Sequence, residues 1–284
     1  YHCATWEAQM RHLKGLYLEK GMCMSNPRPY GLDKVHELMD YLKKIESNEQ
    51  KGFEYNLGLS ILNTWTVFFE KHSWTNENGY KEVKHFLAER ELCDIVSGCR
   101  EYEGSFVDLS AEYKNVISTR HSVRDFKIDK LDMKDVQFAI DCFIETPTAC
   151  NRQMCKITYV CNKEKCEEIS KIVRGVTGFT LDTIKYFIIS YDIRAFDGYG
   201  ERNQGYFDSG LFAMNFVNAL HSFNIQTCFL QYAVTNRENK KMHELLEIPE
   251  YEKIVIVIGA GYANEKIKIA RSPRRSVEEI YRKF

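Results

Sequence analysis

An α+β domain whose sheet is covered by helices, preceded by a mostly helical stretch, is the architecture this sequence predicts. Three observations point there. Up to residue 108, apolar side chains recur at helical spacing and no strand-like run interrupts them. After Leu109, short apolar runs of strand length alternate with amphipathic helical runs. Trp6, Trp65 and Trp74, the only tryptophans, all fall in the first part, so the two parts also differ in composition.

In the first part, Val35, Leu38, Met39 and Leu42 repeat at i, i+3, i+4, i+7 from Asp33 onward. Leu57, Ile61, Leu62, Trp65 and Phe68 or Phe69 share one side of a helix over Tyr55–Phe69, and Val83, Phe86 and Leu87 do so over Tyr80–Leu92. In the second part, Leu109–Ser118 reads as a helix. Asp132 caps another, whose stripe is Met133, Val136, Ala139 or Ile140, and Phe143. ITYV (157–160) is a strand, Lys163–Val173 a helix, and YFIIS (186–190) a buried strand. A long helix from about Phe207 to Phe223 leads to a strand at IQTCFL (225–230). A short helix, Asn239–Leu246, then precedes the strand KIVIVIG (253–259). The interleaving is compatible with an α/β order as well as α+β. The first part, 1–108, is read as a helical extension with no chemical motif, and 109–284 as the domain that carries chemistry.

Lys plus Arg is 39 against 40 for Asp plus Glu, so no long-range field favours nucleic acid or an anionic membrane, and any anion site must be local. The 10 cysteines contain no CxxC pair and no zinc-ribbon spacing. Cys142 falls on an apolar helix face and Cys228 in a strand, where a free thiol behaves as a small hydrophobe. Reduced thiols in a cytoplasmic protein are expected. No apolar run approaches the ~20 residues of a membrane span, and YHCATWEAQMRHLK lacks the apolar stretch of a signal peptide. No metal site is expected.

The stretch STRHSVRDF (118–126) places two arginines among three hydroxyl side chains. If the helix stops at about Thr119, the chain beyond is extended and alternate side chains share a face. Arg120, Ser122 and Arg124 then lie together, with His121, Val123 and Asp125 opposite. Two guanidinium forks flanking a hydroxyl suit a multiply charged oxyanion, since arginine binds phosphate bidentately. A second basic cluster, ARSPRRS (270–276), is stiffened by Pro273.

Several segments, in order, resemble the FMN-dependent nitroreductase family. RHSVRDF (120–126) resembles its opening RRSxRxF, and TPTACNRQ (146–153) its P[ST]xxNxQ segment. IVIVIGAGYA (254–263) is similar to its strand ending in a glycine turn, and RSPRRSVEEI (271–280) to its closing R-x-P run. The resemblance covers 109–284. It implies FMN as cofactor and NADH or NADPH as transient donor. Arg120 and Ser122 would hold the flavin phosphate with His121 beside it, and Arg274, or its rival Arg271, would supply a C-terminal share. Arg124 would face flavin N1 and O2, where a fixed cation favours the reduced form. Pro147, Thr148, Ala149 and Asn151 would lie against the ring, and the amides of Gln231 and Tyr232 would meet its N4, O4 or N5 edge. It further implies a homodimer with flavin at the interface.

The chain departs from the family pattern at Met154–Cys155, where proline and an aromatic are usual, and at Asn224-Ile225-Gln226, where Asn replaces a glycine of positive φ. On this resemblance Cys150 would sit close to the flavin, either as a packing residue or as a modulator of access or redox behaviour. No Ser-His-Asp set or HExxH pattern offers another active site. His221 and His243 read as surface or packing residues, and Asp208 as favourable first-turn charge. The function so implied is reduction of a small organic acceptor, such as a nitroaromatic or quinone, at the expense of NADH or NADPH. The alternatives are reductive dehalogenation, flavin fragmentation, or a partner-binding scaffold with a vestigial flavin site.

Overall fold

The computed structural model describes residues 18–47, 51–102, 104, 107–179, 181–196 and 198–284. Trp6 and the opening residues read above lie outside that set. In the first part, α1 (Leu32–Ser47), α2 (Phe53–Lys71) and α3 (Asn78–Ala88) follow a single turn at Lys20–Met22. The predicted stripes are buried: Val35, Leu38 and Leu42 meet Ile61, Leu62, Trp65 and Phe69, and Val83 completes the cluster. Phe69, not Phe68, is the fully buried member of its pair. The third helix stops short of the expected Leu92. The guanidinium of Arg90, just past its end, donates to the Phe86 carbonyl at 2.6 Å and pairs with Glu46.

The second part places α4 (Ser110–Thr119), α5 (Met133–Ile144), β1 (Cys155–Val160), α6 (Lys163–Ile172), β2 (Lys185–Asp192), α7 (Gln204–Ser222), β3 (Ile225–Leu230), α8 (Asn236–Leu246) and β4 (Glu252–Tyr262) in chain order. The strands form one sheet in the order β1-β2-β4-β3, every pairing antiparallel. The fold class is therefore α+β. Ser122 and Thr227 form an isolated parallel bridge.

The central strand explains why YFII reads as an unbroken apolar run. Phe187, Ile189 and Tyr191 enter a core with α5 and α7, among Phe143, Phe212 and Phe216. Tyr186 and Ile188 enter the opposite core with α6 and α8, among Ile169 and Met242. A strand buried on both faces has no polar side to alternate with. In β4 a bulge opposite Ser190 breaks the period, so Val255 and Ile256 both pack against the α5–α7 core.

Caps set the helix starts. Asp132 accepts from the Lys134 amide at 2.8 Å, as its position predicts. The eighth helix begins earlier than expected because Thr235 and Glu238 form a capping box. Its other end carries Glu247 at φ 56. A left-handed L-residue costs roughly 1–2 kcal/mol, so Glu247→Gly is expected to raise stability by about 0.5–1 kcal/mol. Thermal melts of the two proteins check this. Asn224, after α7, holds φ 59, the left-handed position anticipated for it.

Candidate functional site

Arg120 follows the last residue of α4, and its extended backbone (φ −71, ψ 123) turns the chain onto the sheet. Val123 donates its amide to the Thr227 carbonyl at 3.0 Å and Lys127 to the Tyr262 carbonyl at 2.7 Å. Val123 and Phe126 are buried. Gly261 permits this docking, because a Cβ there would stand 2.8 Å from the Phe126 side chain. The segment is thus stitched to β3 and to the end of β4, with Arg120, His121 and Ser122 half-buried and Arg124 exposed.

Arg120 Nε and Nη1 are buried and have no hydrogen-bond partner. Thr227 Oγ1, His221 Nδ1 and Asn218 Oδ1, on the neighbouring α7 and β3, share that condition. His221 Nε2 lies 2.8 Å from Thr119 Oγ1. Burial lowers the His221 pKa against the opposing Gln226 side chain, and the charges of Arg120 and His121 lower it further. Burial pushes the Cys228 thiol up, while Arg124, the Ser122 hydroxyl and Arg120 all pull it down. Arg120, Ser122 and Arg124 thus all bear on the Cys228 thiol of β3. Arg124 also donates from Nη1 to the Ser122 carbonyl at 3.4 Å. A guanidinium withdrawn from water with two donors unmet is costly unless an acceptor arrives. The chemistry of this donor set fits an oxyanion such as a phosphate monoester.

The TPTACNRQ segment has an unusual backbone. Cys150, Asn151 and Gln153 adopt φ 54, 53 and 52, left-handed values at three non-glycine residues. Such positions persist only where surrounding contacts over-determine them. Here the Ala149 amide donates to Asp208 Oδ2 at 3.3 Å and the Gln153 amide to Thr148 Oγ1 at 3.1 Å. Arg152, only 3% exposed, donates to the Ala195 carbonyl at 3.1 Å and to both carboxylate oxygens of Glu201 at 3.0 and 2.6 Å. Pro147 and Asn151 remain exposed and Thr148 and Ala149 partly so. Asp208 is not a first-turn surface charge. It is buried one turn into α7, where it also accepts from Gln204 and anchors this loop.

Beyond β3, the Gln231 amide donates to the Arg174 carbonyl at 3.3 Å and its carbonyl accepts from the Arg174 amide at 3.0 Å. That donor is engaged within the chain, contrary to its expected role at a flavin edge. Tyr232 donates to Asn239 Oδ1 at 3.0 Å, and burial pushes its hydroxyl pKa up to about 12. Tyr232 also lines a cavity of about 490 Å³ with Tyr206, His243, Glu252 and Lys253, none of them from the Arg120 cluster. Arg271 and Arg274 are exposed, and Arg274 donates to the Ser272 carbonyl at 3.0 Å. Among the described residues, no hydrogen bond or ion pair joins either to Arg120.

The family model described as the nitroreductase family matches residues 176–262, from just before β2 to the end of β4. The fold is a nitroreductase fold. A nitroreductase family protein from Streptococcus pneumoniae TIGR4 is 24% identical, with a TM-score of 0.52 over 61% of this chain and 100% of that one. A nitroreductase-like protein from Streptococcus mutans is 20% identical, with a TM-score of 0.52 over 62% and 99%. An FMN-dependent nitroreductase from Clostridium difficile R20291 is 17% identical, with a TM-score of 0.50 over 58% and 96%. No curated protein matches the chain significantly.

On this nitroreductase fold, five residues support one or the other of the two segments without sequence having given them that role. By sequence His221 reads as a surface or packing residue and Asp208 as first-turn charge, and Thr227, Arg152 and Glu201 have no role assigned. Each acts across the chain, far from its partner in sequence, so no local spacing marks it.

Proposed function

We propose that the protein is an FMN-dependent oxidoreductase that takes hydride from NADH or NADPH and reduces a small organic acceptor such as a nitroaromatic or quinone. The observation that carries this reading is the pair of buried, unpartnered guanidinium nitrogens of Arg120, set among hydroxyl and arginine side chains on a nitroreductase fold. Arg120 and Ser122 would hold the flavin phosphate, with His121 beside them and Thr227 and His221 adding contacts from β3 and α7. Arg124 would set a fixed positive charge near the pyrimidine edge, favouring negative charge there. Pro147, Thr148, Ala149 and Asn151 would present the strained loop to the ring. FMN bound there supplies the two-electron carrier between donor and acceptor. The solved Clostridium difficile structure, named as FMN-dependent, supports the choice of cofactor.

A homodimer belongs to the same proposal. Phe207, Leu211 and Met214 recur at i, i+4, i+7 on α7 and are all exposed, as are Phe138 and Ile144 on α5. An apolar stripe of this kind calls for a covering surface. Residues 268–284 are also exposed, with Val277, Ile280, Tyr281 and Phe284 uncovered. Arg271 and Arg274 sit on that arm, which would bring them to a second copy. No helix among the described residues is long and apolar enough to cross a membrane, and a cytoplasmic site of action is part of the proposal. Residues 1–108 would form a separate helical unit, since their buried cluster draws on 18–87 alone.

The test is spectroscopic. The purified full chain, incubated with FMN and desalted, is expected to retain the visible flavin bands and to lose them when NADH or NADPH is added without oxygen. Reoxidation by a quinone or nitroaromatic should restore them. A protein that holds no FMN at micromolar concentration would overturn the reading.

A further inference from the structure

The helical part carries a feature unconnected with the flavin site. Cys23 closes the Lys20–Met22 turn, with Sγ 3.4 Å from the Glu19 carbonyl. Cys99 comes from a strap without regular secondary structure, yet its Sγ lies 3.7 Å from the Met22 carbonyl, on the same turn. The strap is held there by several contacts. The Gly98 amide donates to Glu19 Oε1 at 3.1 Å. Ser97 Oγ lies 2.9 Å from Ser60 Oγ and 3.1 Å from Thr64 Oγ1, both on α2. Gly98 adopts φ +96 and packs on Thr64 and Met22 so closely that a side chain would collide.

The result is two exposed thiols from distant parts of the sequence, each leaning on a carbonyl of one turn. The two carbonyls, of Glu19 and Met22, belong to the same turn, so both sulfurs lie against it. Burial raises the Cys23 pKa, and the Cys99 thiol raises it further by charge and by hydrogen bond. The half-buried Tyr30 hydroxyl, bonded to the Leu18 carbonyl at 2.7 Å, feels both sulfurs. Among the described residues no third metal-ligating side chain completes a metal site, so the chemistry available is that of a dithiol.

We propose that Cys23 and Cys99 form a redox-switchable pair that closes to a disulfide and fastens the 95–99 strap to the Lys20–Met22 turn. With hydrogen peroxide as oxidant, one thiolate attacks a peroxide oxygen and breaks the O–O bond, giving a sulfenic acid and, after protonation, water. The second thiol attacks the sulfenyl sulfur, the S–S bond forms, and a second water leaves with its proton. Two thiols are oxidised by two electrons and one peroxide is reduced to two waters. A small dithiol such as dithiothreitol reverses the change by exchange, becoming a disulfide itself.

The test uses the full chain, reduced, desalted, exposed to hydrogen peroxide and then alkylated under denaturing conditions. The expected result is the loss of two alkylatable thiols per chain, a Cys23–Cys99 linked peptide in the digest, and full recovery with dithiothreitol. Cys93→Ser, which removes another exposed thiol just ahead of the strap, should form the same link. Cys99→Ser should lose it. Phenylarsine oxide, which needs two adjacent thiols, should block two thiols in the reduced protein and none beyond background in Cys23→Ser. Oxidation of either sulfur to sulfinic or sulfonic acid without a linked peptide, a link to any other cysteine, or arsenical binding that survives Cys23→Ser would overturn the proposal.

Discussion

Arg120→Ala is expected to leave the fold standing and to weaken FMN binding by about 10- to 100-fold, because a hydrogen bond to a charged group is worth roughly 1.5–3 kcal/mol. The two outcomes separate because Arg120 Nε and Nη1 satisfy nothing in the protein itself. Removing them breaks no internal hydrogen bond and relieves a desolvated charge, so the melting temperature should hold or rise. Riboflavin provides the control. It lacks the phosphate, so the wild type should bind it far more weakly than FMN, and Arg120→Ala should narrow that gap. Arg120→Lys keeps the charge but loses the planar fork, and an intermediate affinity is expected. Fluorescence titration of each protein with both flavins measures all of this. An Arg120→Ala protein that still prefers FMN at wild-type affinity would remove the central support for the proposed function.

Breaking the Arg152–Glu201 pair is expected to cost about 3–5 kcal/mol when the carboxylate is the partner removed. The asymmetry of burial decides the order. Arg152 is 3% exposed while Glu201 is 28% exposed at its side chain, so Glu201→Ala strands a cation in the interior. Arg152→Met leaves instead a carboxylate that can turn to water and an apolar side chain that fills the space, and a smaller loss is expected. The double variant Arg152→Met/Glu201→Leu should recover part of the loss, as apolar replacement of a buried pair often does. Because Arg152 lies within the left-handed run Cys150–Gln153, the destabilised proteins should also show faster proteolysis in this loop. Denaturant melts of the four proteins check the order. A larger loss from Arg152→Met than from Glu201→Ala would mean that packing rather than buried charge governs the site.

Much of the architecture was legible because it is written in periodicity. The stripes of α1, α2 and α3 and the run YFII depend on which neighbours along the chain are apolar, and the helices and strand they predicted are present with ends moved by a few residues. Asp132 and Asn224 were legible for a related reason: a cap or a left-handed turn is a property of one residue and its immediate backbone. The alternation in STRHSVRDF is local in the same way, and the extended backbone that it presumes is present at Arg120.

Other features were settled only when distant segments met. Whether a guanidinium is solvated or orphaned depends on what closes over it. For Arg120 that is the packing of its segment against β3 and α7, and for Arg152 it is a carboxylate from beyond β2. The Gln231 amide looked free for a ligand until Arg174 came beside it. Asp208 looked like a surface charge until the Ala149 amide did. Local spacing specifies how a residue shapes its own turn or strand; which donors find acceptors, and which are left waiting for a ligand, is decided by contacts that the linear order does not encode.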